Sequence, residues 1–246
     1  MKAPAADQQR LLVVQSHDTQ LHRLAHRRAN LPVKAEMALA QDQEQLAGEE
    51  LEIAKAKAGD IRRDLTRVED ELSKVAGRHR RDRERLESGG GQSRELLSLQ
   101  QDLELLERRR DRLEEEALEV MEVLEEAQAA VVGLEATLKR LGALSADLRG
   151  RLDGQLAEIA SAEAVEQAAR AAAAEGLDEA LVKLYERLRE RLGGVGAAAL
   201  IRRRCEGCGM DVSSSDLDAI RALAADDVAR CEECGRILVR GEDSGL

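Results

Sequence analysis

SRELLSLQQDLELLERRRDRLEEEALEVMEVLEEAQAAVVGLEATLKRLGALSADLRGRL, residues 93–152, places apolar residues at alternating spacings of three and four along its whole length. With Leu96 as heptad position a, the a and d sites are Leu96, Leu99, Leu103, Leu106, Arg110, Leu113, Ala117, Val120, Leu124, Ala127, Val131, Leu134, Leu138, Leu141, Ser145, Leu148 and Leu152. Fifteen of these seventeen are apolar, and a pattern sustained over so many heptads marks a coiled-coil seam. The register slips near Gln155-Leu156, and the helix is predicted to run through an Ala-rich stretch to about Glu175, where Gly176 is a natural stop.

Toward the N-terminus, Ser88-Gly89-Gly90-Gly91-Gln92 reads as a turn. Ser93 is a suitable N-cap, with Glu95 well placed in the first turn. Before the turn a second helix is predicted over about 34–87. Its apolar stripe runs from Val33, Met37 and Ala40 to Val75 and Leu86, interrupted only at Glu44, His79 and Asp82. Leu31-Pro32 separates it from a first amphipathic helix over about 7–30, because proline lacks an N–H and disfavours helical geometry in the residue before it. Residues 93–175 thus match the two earlier helices laid end to end. The short glycine connection favours an antiparallel hairpin over an intermolecular coiled coil.

Toward the C-terminus, Asp178 can cap a short helix over 178–192, with Tyr185 packing it against the coil. Gly193-Gly194-Val195-Gly196 forms a joint. Beyond it stand Cys205-Glu206-Gly207-Cys208 and Cys231-Glu232-Glu233-Cys234, which hold every cysteine of the chain. Two Cys-x-x-Cys turns can supply the four thiolates of a tetrahedral structural Zn²⁺ site, and nearby Gly207, Gly209 and Gly235 give such knuckles backbone freedom. The ligand set alone does not separate zinc from iron. A thioredoxin-like pair would need a βαβ context that neither motif has. Disulfides would need an oxidising compartment, and Met1–Asp7 has no apolar leader segment. The expected fold is mostly α: a long antiparallel coiled-coil helical hairpin over 1–192, then a small β zinc ribbon over 193–246.

Composition agrees. The 246 residues contain no Phe or Trp and one Tyr, 35% are charged, and the net charge is −11. A compact α/β enzyme of this length would lean on aromatic side chains for its core, whereas such charge-rich, Ala- and Leu-rich sequence suits long helices. No apolar run is long enough to span a membrane. A phosphate-binding Gly-x-x-x-x-Gly-Lys loop is absent, and four cysteines would close a zinc site that catalysis needs open.

These features resemble a bacterial family with an N-terminal coiled-coil hairpin and a C-terminal four-cysteine zinc ribbon, described as candidate nucleic-acid-binding zinc-ribbon proteins. The resemblance rests on Leu31-Pro32, Arg94-Glu95-Leu96, Leu184-Tyr185-Glu186-Arg187, Cys205-Glu206-Gly207-Cys208 and Cys231-Glu232-Glu233-Cys234-Gly235-Arg236-Ile237-Leu238. It implies that the four cysteines are zinc ligands and that the protein is an adaptor or regulatory binder without catalysis. The sequence departs from the family's pattern at the turn, where three glycines and Gln92 replace a stiffer segment.

Three surfaces could carry contacts. The turn region holds Arg78, Arg80, Arg81, Arg83, Arg85 and Arg94 against Asp82, Glu84 and Glu87, a balance of +3 over residues 78–94. Ordinary intrahelical and interhelical ion pairs are the competing account of these arginines. The ribbon holds Arg202, Arg203, Arg204, Arg230, Arg236 and Arg240, which could meet phosphates. Yet residues 193–246 carry seven Arg against ten Asp or Glu, a balance of −3 before the metal, and no aromatic for base stacking. His22 and His26, among Arg23, Arg27 and Arg28, are expected to form a solvated helix face. The expectation is a non-enzymatic, cytoplasmic adaptor with structural Zn²⁺ that bridges protein partners, with nucleic acid as a second candidate partner. The alternative is a sequence-nonspecific RNA- or DNA-binding protein acting through the basic turn and the ribbon arginines.

Overall fold

The computed structural model describes residues 1–246. In chain order the elements are α1 (Ala5–Ala29), α2 (Pro32–Glu87), α3 (Ser93–Ala174), α4 (Glu179–Arg191), β1 (Ala197–Ile201), β2 (Arg204–Cys205), α5 (Ser214–Ala222), β3 (Ala229–Arg230) and β4 (Ile237–Arg240), followed by a 3₁₀ turn at Glu242–Ser244. The chain is a mostly helical coiled-coil hairpin with a small C-terminal zinc-ribbon sheet. It forms two compact units: Ala35–Arg149, and Met1–Lys34 together with Gly150–Leu246.

The unit Ala35–Arg149 is built from the facing arms of α2 and α3. Every a and d position from Leu96 to Leu148 is buried or half-buried, as is every stripe position from Met37 to Leu86. Val68, Val75, Leu113 and Ala117 form a buried cluster between the arms. Lys55 pairs with Glu135 at 3.6 Å and Glu71 with Arg109 at 3.4 Å, so rising numbers on α2 meet falling numbers on α3, as an antiparallel pair requires. Two interruptions of the apolar pattern meet each other: Ser145 Oγ donates to Glu44 Oε2 at 2.9 Å. A polar pair within an apolar seam fixes register, because any slip would leave both groups without a partner. At the turn Gly89 has φ 67°. Ser93 is the first helical residue of α3, so Gln92 takes the capping position, and its N–H donates to Glu95 Oε2 at 3.2 Å.

In the second unit the sheet order is β2-β1-β4-β3, with β1 and β4 parallel and the outer pairs antiparallel. Both faces of the central pair are covered. Ala197, Ile237 and Val239 pack with Leu11 and Val14 of α1 and Leu181, Tyr185 and Leu188 of α4. On the other face Ala198, Leu200 and Leu238 pack with Leu217 and Ile220 of α5 and with Cys205 and Cys231. Burial on both faces explains why these short strands are runs of apolar residues without polar alternation.

Within residues 150–174 the expected register slip proves to be a widening. Half-buried residues come as neighbours, Gln155-Leu156, Ala162-Glu163 and Ala169-Arg170, around buried Ile159. The reason is two partners: α3 meets α1 through Glu166–His17 at 2.7 Å and α4 through Arg170–Glu186. Asp178 caps α4 by accepting from Leu181 N–H at 2.9 Å. Ser213 caps α5, accepting from Asp216 N–H at 3.1 Å.

Candidate metal centre

The two cysteine motifs fold into knuckles with the same hydrogen bonds. In the first, Cys205 N–H donates to Met210 O at 3.0 Å and Gly209 N–H to Cys205 O at 2.8 Å. In the second, Cys231 N–H donates to Arg236 O at 3.0 Å and Gly235 N–H to Cys231 O at 2.8 Å. Each knuckle closes on a left-handed glycine, Gly209 and Gly235, both with φ 72°, a conformation that costs an L side chain about 1–2 kcal/mol. Gly207 serves differently: a Cβ there would lie 2.7 Å from Arg236 Cδ and 2.9 Å from Ala198 Cβ, so glycine permits close packing between knuckles.

The sulfur atoms of Cys205, Cys208, Cys231 and Cys234 all lie within 4.8 Å of one another. Cys205 and Cys234 Sγ are 4.0 Å apart, and Cys208 and Cys231 Sγ 3.9 Å. A disulfide requires about 2.05 Å. A tetrahedron with Zn–S bonds of about 2.3 Å has edges of roughly 3.8 Å, so the sulfur cage fits zinc. Burial pushes the Cys205 thiol up to about 12 and the Cys231 thiol up as well. At Cys234 burial acts in the same direction and is the largest single effect, but hydrogen bonds from Arg236 and from the Cys231 and Cys208 thiols together outweigh it and leave that thiol at about 7. Two buried thiols that resist ionisation next to one that ionises readily need a cation to become four thiolates together.

The predicted ribbon arginines divide by what their guanidinium groups do. Arg236 donates Nε to Val195 O and Nη2 to Leu192 O, both at 3.0 Å, tying the second knuckle to the joint after α4. Arg230 donates Nε and Nη2 to Gly235 O at 3.0 and 2.7 Å. Arg240 binds carbonyls at the end of α5 and beyond, including Ala224 O at 2.7 Å and Asp227 O at 2.8 Å. Arg202, Arg203 and Arg204 are exposed and make no side-chain hydrogen bond or ion pair. Arg202 and Arg203 form the two-residue β1–β2 turn with φ 48° and 67°. Their N–H groups donate to Asp243 O at 2.7 Å and Ser244 O at 2.9 Å, so the 3₁₀ turn clamps a conformation that the side chains disfavour.

At the hairpin turn, Arg78 pairs with Asp82 at 3.4 Å and Arg83 with Glu87 at 3.0 Å. Arg80, Arg81, Arg85 and Arg94 are exposed and unpaired. The four cysteines are the one group of three or more candidate ligand residues brought together, so His22 and His26 gain no third ligand.

A polar network at the base, the part where α1 and α4 pack with the end of α3, escaped the sequence reading. Tyr185, fully buried, donates its hydroxyl to Asp18 Oδ2 at 2.6 Å. Asp18 Oδ1 accepts from Arg170 Nε at 2.7 Å, and Arg189 Nη1 lies 3.5 Å away. Gln15 Oε1 accepts from Gly196 N–H at 2.8 Å while Gln15 Nε2 donates to Gly194 O at 3.1 Å, which fastens the joint to α1. Gly196 is needed here because a Cβ would sit 2.7 Å from Tyr185 O. The available signal was spacing: Gln8, Gln15 and Asp18 share the helical stripe of Leu11.

A coiled-coil hairpin with a four-sulfur ribbon thus defines the class of protein. The family model for the CT398-like coiled coil hairpin domain matches residues 14–193, and that for the C4-type zinc ribbon domain matches residues 204–238. The chain belongs to the CT398-like coiled-coil hairpin family, and its centre is a structural zinc site. It is 38% identical over 242 residues to the uncharacterized protein Rv2229c of Mycobacterium tuberculosis, covering 98% of both chains. A solved Mycobacterium smegmatis structure is 33% identical with a TM-score of 0.85, covering 98% of this chain and 100% of that one. CT398 of Chlamydia trachomatis shares the fold at 18% identity, with a TM-score of 0.66 and coverage of 96% and 98%. No helix is long and apolar enough to cross a membrane.

Proposed function

We propose that this protein is a non-enzymatic adaptor of the cytoplasm, with a coiled-coil arm and a zinc-stabilised ribbon that each present a contact surface. In this reading residues 1–192 and 193–246 are the two working domains, and Cys205, Cys208, Cys231 and Cys234 hold the zinc. The observation that carries it is the combination of a closed four-sulfur shell, which leaves no coordination position for a substrate, with unpaired arginines in both domains. Bound zinc supplies folding energy to the ribbon. Arg202 and Arg203 stand on a strained turn of the kind that clusters at contact sites, and Arg204 follows on β2. Cross-linking pull-down from nuclease-treated lysate tests the adaptor reading: a defined protein partner supports it, and loss of every partner after nuclease overturns it.

The second reading, a sequence-nonspecific RNA- or DNA-binding protein, is favoured by one observation: Arg80, Arg81, Arg85 and Arg94 have no partner at the hairpin turn. It predicts binding that weakens steeply with salt and falls when Arg80 and Arg83 are changed to Ala. Against it stand the net charge of −11 and the lack of aromatic stacking platforms.

A further inference from the structure

The ribbon sheet has an edge that the chain leaves partly open. β3 ends the strand order. Over Asp226–Val228 that edge is covered by Met1–Ala3: Val228 N–H donates to Met1 O at 3.0 Å, and Ala3 N–H to Asp226 O at 2.7 Å. Met1–Ala3 reach no further along the edge than Val228. Cys231 N–H donates across to Arg236 O at 3.0 Å and Ala229 faces Leu238, so strand alternation turns Arg230 N–H away from β4. No acceptor of the chain meets it.

Beside this open edge, between β3 and α5, lies a cavity of about 340 Å³. Val212, Ile220, Leu223 and Val228 make its apolar lining, and Asp216 and Glu232 stand with them around it. Leu223 is 37% exposed at its mouth. Arg230 lines the cavity too, with its guanidinium donating to Gly235 O, so two carboxylates stand against one guanidinium and the lining keeps a negative balance.

We propose that this edge and cavity dock an extended, basic segment of a partner protein. Its backbone pairs with Arg230, one aliphatic side chain fills the cavity, and flanking Lys or Arg side chains meet Asp216 and Glu232. Strand addition of this kind draws affinity from main-chain hydrogen bonds and specificity from alternate side chains. Charge selects the occupant: the ribbon balance of −3 and the two further negative charges of a four-thiolate zinc centre favour a basic segment over nucleic acid or an acidic peptide. The inference rests on the adaptor reading and gives it a surface.

The test uses the full-length, zinc-loaded chain and a fluorescein-labelled Lys-Val-Lys-Val-Lys-Val-Lys peptide, with a Glu-for-Lys peptide as control. We expect the basic peptide to bind at least about tenfold more tightly. Leu223→Ser and, independently, Asp216→Asn should each weaken it about tenfold or more while zinc content stays unchanged. Hydrogen exchange at the Arg230 amide should slow on binding. Equal binding of the two peptides, or insensitivity to both variants with unchanged Arg230 exchange, would overturn the proposal. So would displacement by single-stranded RNA at physiological salt, or self-association abolished by Leu223→Ser, which would assign the surface to nucleic acid or a second copy. Nuclease-resistant capture of a partner equally by wild type and Leu223→Ser would sink this inference and leave the adaptor reading standing. Failure of wild type to capture any protein would sink both.

Discussion

Tyr185 is the sole aromatic residue of the chain, and its hydroxyl is committed to Asp18 at 2.6 Å inside a closed core. Burial, chiefly, and then this hydrogen bond raise its pKa well above the ordinary 10. The unfolded chain releases that proton near 10. Tyr185 therefore contributes stability that is fully present below about pH 10 and is lost as pH rises above it. With no other tyrosine or tryptophan to interfere, tyrosinate absorbance should appear only together with loss of tertiary structure. Free titration near pH 10 in the folded protein would contradict the buried network. Tyr185→Phe leaves a buried Asp18 oxygen short of a donor, and we expect a loss of about 1–3 kcal/mol by denaturant melting of the base. At the β1–β2 turn the expectation reverses sign. Arg202→Asn with Arg203→Gly relieves two left-handed arginines in a turn that favours Asn-Gly, so ribbon stability should rise by about 1–2 kcal/mol. If those arginines serve as contacts, partner capture should fall in the same variant.

Among the elements, the hairpin arms were the most legible. The a and d sites of α3 and the stripe of α2 could be named residue by residue, because helical periodicity is a local property of sequence. Even the exceptions carried meaning, since Ser145 and Glu44 bond each other. Leu113 is 8% exposed in this seam, and Leu113→Ala should lower arm stability by about 2–3 kcal/mol without altering zinc content. Circular dichroism melts paired with metal analysis check both halves. The ribbon was legible as ligands and glycines. Its parallel β1–β4 pairing was not, because strand direction depends on contacts across forty residues of sequence. The Gln15–Asp18–Tyr185 network was hidden for a related reason: polar residues on an apolar stripe look like solvent-facing lapses until their partners on α4 and the joint are known.

At the scale of the whole molecule, the base and ribbon share one core, since Ile237 and Val239 of β4 pack with Leu11, Val14 and Tyr185. Metal loss should therefore reach beyond residues 197–240 and disturb the environment of Tyr185, whereas residues 35–149 have their own buried seam and should stay helical. Near-ultraviolet circular dichroism reports the first effect, far-ultraviolet the second. The central claim is that one zinc ion held by four cysteines folds the ribbon. Elemental analysis of freshly purified, reduced protein and of Cys231→Ser, read with limited proteolysis, tests it most directly. We expect about one zinc per wild-type chain, little in the variant, and new cleavage within residues 197–240. Wild-type protein without metal, or a metal-free ribbon that resists protease, would contradict the account.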